Sequence, residues 1–217
     1  MNRRRMMMLQ QNKGFELVYN AVSGILPQNT EGWSWRQGQY NGNVGIGGVK
    51  LENGLLVVKT NHIYENVLYY PTDNLTADKS EASVTVDTWA ITENNNYAKS
   101  MIRIGLTDGI HYAICGVFND SFKYGTKLNN NILRNNGTLN SISYEPPQKF
   151  TLKAKLNNGK AEYYINDELI AVEDSLPTVD TAKYGEQSDY FVKEPMNFIG
   201  VGINTLTSIS NMTYKEW

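Results

Sequence analysis

The chain has 217 residues, 41% of them apolar, and a formal net charge of −2. That length suits one β-sandwich with a sizeable core. The near-neutral balance removes the global electrostatic case for nucleic acid or a membrane surface, and no run of about eighteen apolar residues is present to cross a bilayer.

About two dozen asparagines and 14 tyrosines point to many turns joined by strands, because Asn tolerates left-handed backbone and Tyr suits a half-buried pleated surface. Residues 1–14 form a basic, Met-rich arm. Its Arg3, Arg4, Arg5, Met6, Met7 and Met8 imitate the start of an export signal, but Gln10 to Lys13 break the apolar run too early for one. The arm is expected to be retained, with residues 15–217 as a single β-sandwich domain. Phe15–Tyr19 reads as a first strand or a docked piece of the arm. Residues 20–48 read as irregular and glycine-rich, with Trp33 and Trp35 either lining a glycan site at the rim or, as the favoured reading, pinning the segment to the body.

Strand signals then follow in series. Val49–Glu52 and Leu55–Thr60 flank Asn53-Gly54, a hairpin turn in which both residues tolerate positive φ. Val67–Tyr70 comes next. In Ala82–Ile91, Ser83, Thr85, Asp87 and Trp89 are expected on one face, with Val84, Val86 and Thr88 on the other. Ser100–Thr107 is its expected partner across Asn94 to Asn96. There Ile102, Ile104 and Leu106 face one way, and Met101, Arg103 and Gly105 the other. Asp108-Gly109 turns into Ile110–Phe118, and Phe122–Leu128 follows Asn119-Asp120. After a polar loop over residues 129–148, Lys149–Val172 reads as three antiparallel strands. Phe150, Leu152, Ala154 and Leu156 alternate, then Ala161, Tyr163 and Ile165, joined by Asn157-Asn158-Gly159 and by Asn166-Asp167. A loop over 173–195 leads to Met196–Ile203 and Ser208–Trp217. Short strands, spaced turns and no strong helical period describe an all-β sandwich of two antiparallel sheets.

The block KFTLKAKLNNGKAEYYINDELIAV (149–172) resembles the C-terminal strands of the concanavalin A-like lectin/glucanase superfamily, in particular its laminin-G-like and phage-borne members. The resemblance covers about residues 50–217. It implies a concanavalin A-like jelly roll, and it implies neither binding nor hydrolysis on its own. The opening Arg3–Met8 is similar to the start of many tail- and capsid-associated phage proteins.

Catalytic patterns are thin. Glucanases of that superfamily carry carboxylates at alternate positions of one strand. Here Glu81, Asp87 and Glu93 stand six residues apart, roughly 20 Å per step, too far to cooperate on one bond. Cys115 is the single cysteine, so no intrachain disulfide forms, and it reads as a buried small hydrophobe. Among the two histidines, His111 precedes Cys115 by four residues of strand, beyond proton-transfer reach. Oxygen-rich stretches at Asp73-Asn74, Asn119-Asp120 and Asp180 to Asp189 lack the spacing of a calcium loop and read as Asx turns. No catalytic residue, metal ligand or cofactor is therefore assigned.

A binding face is easier to specify. An outward sheet of such a sandwich can form a groove, for which Asp87, Trp89, Arg103, Tyr112 and Tyr124 are the polar and aromatic candidates. Sugars stack on aromatic rings, and Asp and Arg hold their hydroxyls. The expected function is a non-enzymatic virion protein, a tail, fibre or capsid-decorating component. It would be tethered through the arm to virion partners or to its own copies, and would present a lectin-like domain to cell-surface polysaccharide. The alternatives are a glycoside hydrolase or lyase, and a free bacterial carbohydrate-binding module in the cytoplasm or at the cell surface.

Overall fold

Three tight turns set the local structure. Asn53 and Gly54 have φ of 52° and 75°, Asn158 and Gly159 of 49° and 74°, and Asn166 and Asp167 of 50° and 64°. Positive φ at both central residues is the turn whose twist matches flanking strands. The computed structural model describes residues 14–38, 48–60, 66–73, 77–91, 101–118, 121–125, 140–143, 148–176, 196–202 and 205–217. In chain order the strands are β1 (Phe15–Asn20), β2 (Trp33–Gly38), β3 (Gly48–Glu52), β4 (Leu55–Lys59), β5 (Asn66–Pro71), β6 (Lys79–Ile91), β7 (Met101–Thr107) and β8 (Tyr112–Phe118). They continue as β9 (Ser121–Tyr124), β10 (Asn140–Ser143), β11 (Phe150–Asn157), β12 (Lys160–Ile165), β13 (Glu168–Glu173), β14 (Phe198–Gly202) and β15 (Thr205–Glu216).

Two antiparallel sheets result. One runs β13-β12-β11-β6-β15-β4-β3, the other β10-β9-β8-β7-β14-β5-β2. Strand β1 joins the first sheet by pairing Phe15–Asn20 with Asn211–Glu216 of β15. Since β6 lines β15 from Thr205 to Glu216, β1 and β4 share its other edge, β4 taking Leu206–Ile209. Phe15–Tyr19 is thus a true strand, locked to the last one. The fold is an all-β jelly-roll sandwich, and β11-β12-β13 form the expected three-strand block. Arm residues Arg3, Arg4, Arg5, Met6, Met7 and Met8 lie outside the described residues.

The core lies between the sheets. Strand β11 alternates buried and half-buried along Phe150–Leu156, and β12 does so along Ala161–Ile165. These meet Ile102, Ile104 and Leu106 of β7 and Ala113, Cys115 and Val117 of β8 in one cluster. Burial pushes the Cys115 thiol far up, with Glu173 adding to it, so it packs as an inert side chain.

Two expectations need correction. Strands β6 and β7 do not pair: they lie in opposite sheets, because β11 and β15 take both edges of β6 while β8 and β14 take those of β7. Nor does Trp89 share a face with Ser83 and Thr85. The register between β6 and β15 jumps at Ser208–Asn211, pairing Val86 with Ile209 and Thr88 with Ser208, so Asp87 is the extra residue of a bulge. Beyond the bulge the alternation reverses, and Trp89 packs on the core, edge-on to Phe150 at 6.3 Å.

The second sheet has little room on its outward side. A methyl group at Gly105 would lie 2.3 Å from Phe198 Cε1 and 3.0 Å from the Tyr112 hydroxyl. Gly105→Ala is expected to lower stability by about 1–3 kcal/mol through overpacking, read as a lower urea midpoint. A midpoint equal to wild type would show that this face is loosely packed.

Candidate functional site

The outer faces of the two sheets differ in chemistry. On the first sheet, cross-strand registers line up Glu16, Lys215, Glu81, Lys155 and Glu162, alternating in sign across five strands. Lys215 bonds Glu16 at 3.1 Å and Lys155 reaches Glu81 at 3.7 Å. The next row pairs the Ser83 and Thr213 hydroxyls at 2.7 Å and sets Lys153 beside Tyr164, whose ring lies 5.0 Å from the ammonium groups of both Lys153 and Lys155. Opposite charges facing across strands stabilise a sheet modestly. This face is a self-satisfied, solvated ladder.

On the second sheet one row runs Lys123, Gly116, Arg103, Gly200, Leu68, Arg36, from β9 across to β2. Arg103 thus has glycine on both neighbouring strands. Phe198, Tyr112, Ile114 and Leu68 form a buried layer around it, with Tyr70 and Met196 packed at its margin. The Arg103 guanidinium carbon sits 5.6 Å from the centre of the Phe198 ring, a cation–π contact. Burial pulls the guanidinium down to about 10, the Tyr112 side chain working the other way, so it stays charged at neutral pH.

Towards β2 this face opens to solvent. Ser34 and Tyr70 are half-buried, and Arg36 and Thr72 are exposed. The Ser34 and Thr72 hydroxyls lie 3.0 Å apart, and the Tyr70 hydroxyl donates to the Trp35 carbonyl at 3.5 Å. An aromatic ring, two hydroxyls and a guanidinium therefore share one accessible corner. Trp35 stands on the opposite side of β2, 36% exposed, whereas Trp33 is 4% exposed in the core. Sequence reasoning missed Ser34, Arg36 and Tyr70 because it took the segment around Trp33 as irregular; the alternation Trp33-Ser34-Trp35-Arg36 was the available signal.

The five residues expected to form one groove are distributed over three environments. Arg103 and Tyr112 lie buried on the outer face just described. Tyr124 points between the sheets, stacked on Phe122 at 5.9 Å and 5.4 Å from the Tyr163 ring. Asp87 and Trp89 belong to the other sheet. Asp87 bonds Lys149 at 2.9 Å. Its burial works against the charge, but hydrogen bonds from Ser210 and Lys149, and the lysine's charge, hold the carboxyl below the usual range.

The described carboxylates are mostly bound to cations or phenols. Glu173 accepts from Tyr163 at 2.5 Å, Glu162 from Tyr164, and Glu216 from Tyr214. Asp108 accepts from the His111 amide at 2.6 Å and the Ile110 amide at 2.8 Å, and its other oxygen lies 2.9 Å from His111 Nδ1. His111 in turn packs over Gly159, fastening the β7–β8 turn to the β11–β12 turn at one end of the sandwich. Among the described residues no group of three or more His, Cys, Asp or Glu is placed to hold a metal ion. No helix among them is long and apolar enough to cross a membrane.

Solved structures share this architecture. The carbohydrate recognition domain of Emp46p in its metal-free form superimposes with a TM-score of 0.57, at 10% identity over 90% of this chain and 94% of that one. A structure reported with the endo-acting O-glycanases by which human gut bacteria initiate mucin breakdown gives 0.56, at 10% identity over 93% and 98%. A carbohydrate esterase of the Shiga toxin-encoding bacteriophage phi24B gives 0.54, at 10% identity over 92% and 97%. The fold is that of the concanavalin A-like lectins and glucanases. Binders and enzymes both use it, so the fold alone leaves the chemistry open. No protein-family profile and no curated protein matches the sequence.

Asp108 supplies a pH test. Burial opposes its charge, yet the His111 and Ile110 amides and the imidazole hold its carboxyl below the ordinary range. A depressed carboxylate stabilises the fold above its unfolded pKa of about 3.9, and that contribution is lost as pH falls through the folded value. Asp108→Asn should therefore be less stable than wild type at pH 7, by about 1–2 kcal/mol. Thermal melts at pH 7, 5 and 3 should show the gap narrowing below about pH 4; a constant gap would mean that the charge contributes nothing.

Proposed function

We propose that this protein is a non-enzymatic glycan-binding module, displayed on a virion as a tail, fibre or capsid-decorating component that engages cell-surface polysaccharide. The observation that carries the binding half is the open corner of the second sheet. Tyr70 offers a ring for the C–H face of a sugar, while Ser34, Thr72 and Arg36 offer donors and acceptors around it. The buried layer of Phe198, Tyr112, Leu68 and Ile114 behind Tyr70 gives that corner a rigid floor. The likeness to the Emp46p carbohydrate recognition domain supports the same reading.

The virion half is supported by the basic arm Arg3–Met8, and by the likeness to a bacteriophage esterase. Through the arm the protein would dock on other virion proteins or on its own copies. The resemblance to an esterase and to an O-glycanase structure favours one second reading, a glycan-cleaving enzyme.

A glycan array separates these readings. Wild-type protein should bind a subset of glycans, and Tyr70→Ala should weaken that binding about tenfold, ~1.4 kcal/mol, without lowering the melting temperature by more than a few degrees. Trp89→Ala should instead lower stability, since Trp89 packs on the core. Binding unchanged in Tyr70→Ala would remove the corner from the site. Release of reducing ends or acetate from a bound glycan would replace binding with catalysis.

A further inference from the structure

The charge ladder of the first sheet stops at its last strand. Register sets Val172 of β13 beside Glu162 and Leu169 beside Tyr164, so both point outward with the ladder. They are 44% and 50% exposed, and Tyr164 next to them is half-buried. Among the described residues no strand pairs with the outer edge of β13. An edge with an apolar strip beside it suits one added strand, whose backbone bonds the edge and whose alternate side chains cover the strip. The hairpin of residues 160–174 carries five carboxylates, Glu162, Asp167, Glu168, Glu173 and Asp174, and one lysine, Lys160. Asp167 and Asp174 pair with Lys153 and Lys160 at the surface, where solvent screening keeps such pairs weak.

The N-terminal arm has the complementary composition. Residues 1–13 hold four cations, Arg3, Arg4, Arg5 and Lys13, no carboxylate, and the apolar run Met6–Leu9. We propose that the arm of one copy adds as a strand to the β13 edge of a second copy. Its Met6–Leu9 run covers Leu169 and Val172, and its arginines sit among the carboxylates of the hairpin. This rests on the arm-docking half of the function proposed above, which it narrows to one surface, and not on the glycan half. The registers show why the acceptor is another copy. Phe15, Glu216, Ser80, Leu156, Ala161 and Glu173 form one row across six strands, from β1 to β13. From Gly14 to the far side of β13 is therefore six strand spacings, about 29 Å. Six residue steps separate Gly14 from Met8, and fully extended they span about 21 Å. Met8 and Leu9 fall short of their own β13, so the run cannot lie along it. Each copy offers one arm and one edge, so the contact is heterologous and copies add into a ring or an open chain.

The test is the mass of the full chain in solution, read by sedimentation and light scattering over a wide range of concentration. Wild type should associate beyond the monomer as concentration rises, and less so as salt is raised from about 50 to 500 mM. An arm variant, Met6→Asp with Met7→Asp and Met8→Asp, should stay monomeric. So should an edge variant, Leu169→Lys with Val172→Lys. Mixed, the two should form a one-to-one complex, because the edge variant keeps its arm and the arm variant keeps its edge. A melting temperature within a few degrees of wild type checks that the edge variant folds. The arm variant alters no described residue, so its result stands by itself. A monomeric wild type would overturn the exchange and leave the arm to a different virion protein. Wild-type assembly that persists in the arm variant would overturn it too, as would a mixture of folded variants that stays monomeric. A blank glycan array beside intact assembly would remove the glycan reading alone.

Discussion

The seven-stranded sheet is buried on both sides through its middle, and this sets what the rest of the molecule can do. An antiparallel sheet ordinarily keeps one wet face. Here Ile102, Ile104 and Leu106 point into the main core, while Arg103, Tyr112, Phe198 and Leu68 on the other side are buried as well. Side chains as large as Phe198, Tyr112 and Arg103 lie flat on this face only where the positions beneath them are small. Gly105, Gly116 and Gly200 are such positions on adjacent strands, and a methyl at Gly200 would lie 2.8 Å from Leu68 Cδ2. Among the described residues, solvent reaches this face where the glycines stop, at the β2 corner and around Lys123. The position of the candidate site follows from that arrangement.

Much of this was readable from the chain, and the parts that were not have physical causes. The three-strand block and its turns were legible because alternation and Asn-Gly are local signals. The pairing of β6 with β11 and β15 was not, because partners in a sandwich are chosen across the core and not along the chain. The face of Trp89 was misjudged for a different reason. A bulge at Asp87 inverts the alternation beyond it, and nothing in Ser83–Trp89 marks where the extra residue falls. Arg103 was placed on the correct side of its strand by parity alone. That the same side would be dry depends on packing that no single strand encodes.

The candidate site shows the same division. Tyr112 and Arg103 were selected as polar or aromatic residues of middle strands, which is where a groove would be sought. They lie in the floor, and the accessible groups Ser34, Arg36, Tyr70 and Thr72 come from the edge of the sheet. Edge residues are hard to nominate because a glycine-rich approach hides the strand that carries them. The layer beneath these marginal groups is filled by packing, which leaves the margin as the accessible part of this face among the described residues.

The edge at the other sheet has a consequence of its own. Strand β13 is the last of its sheet, with Leu169 and Val172 exposed. Among the described residues no strand pairs with its outer edge, whose backbone offers a template on which a second molecule could zip. Yet the strand begins at Glu168 and ends at Glu173, so two copies meeting head to tail would set carboxylate against carboxylate at both ends of the seam. The apolar pair in the middle is thereby fenced by like charge. Crowding many copies side by side, as on a regular surface, then need not fuse their sheets into a continuous ribbon.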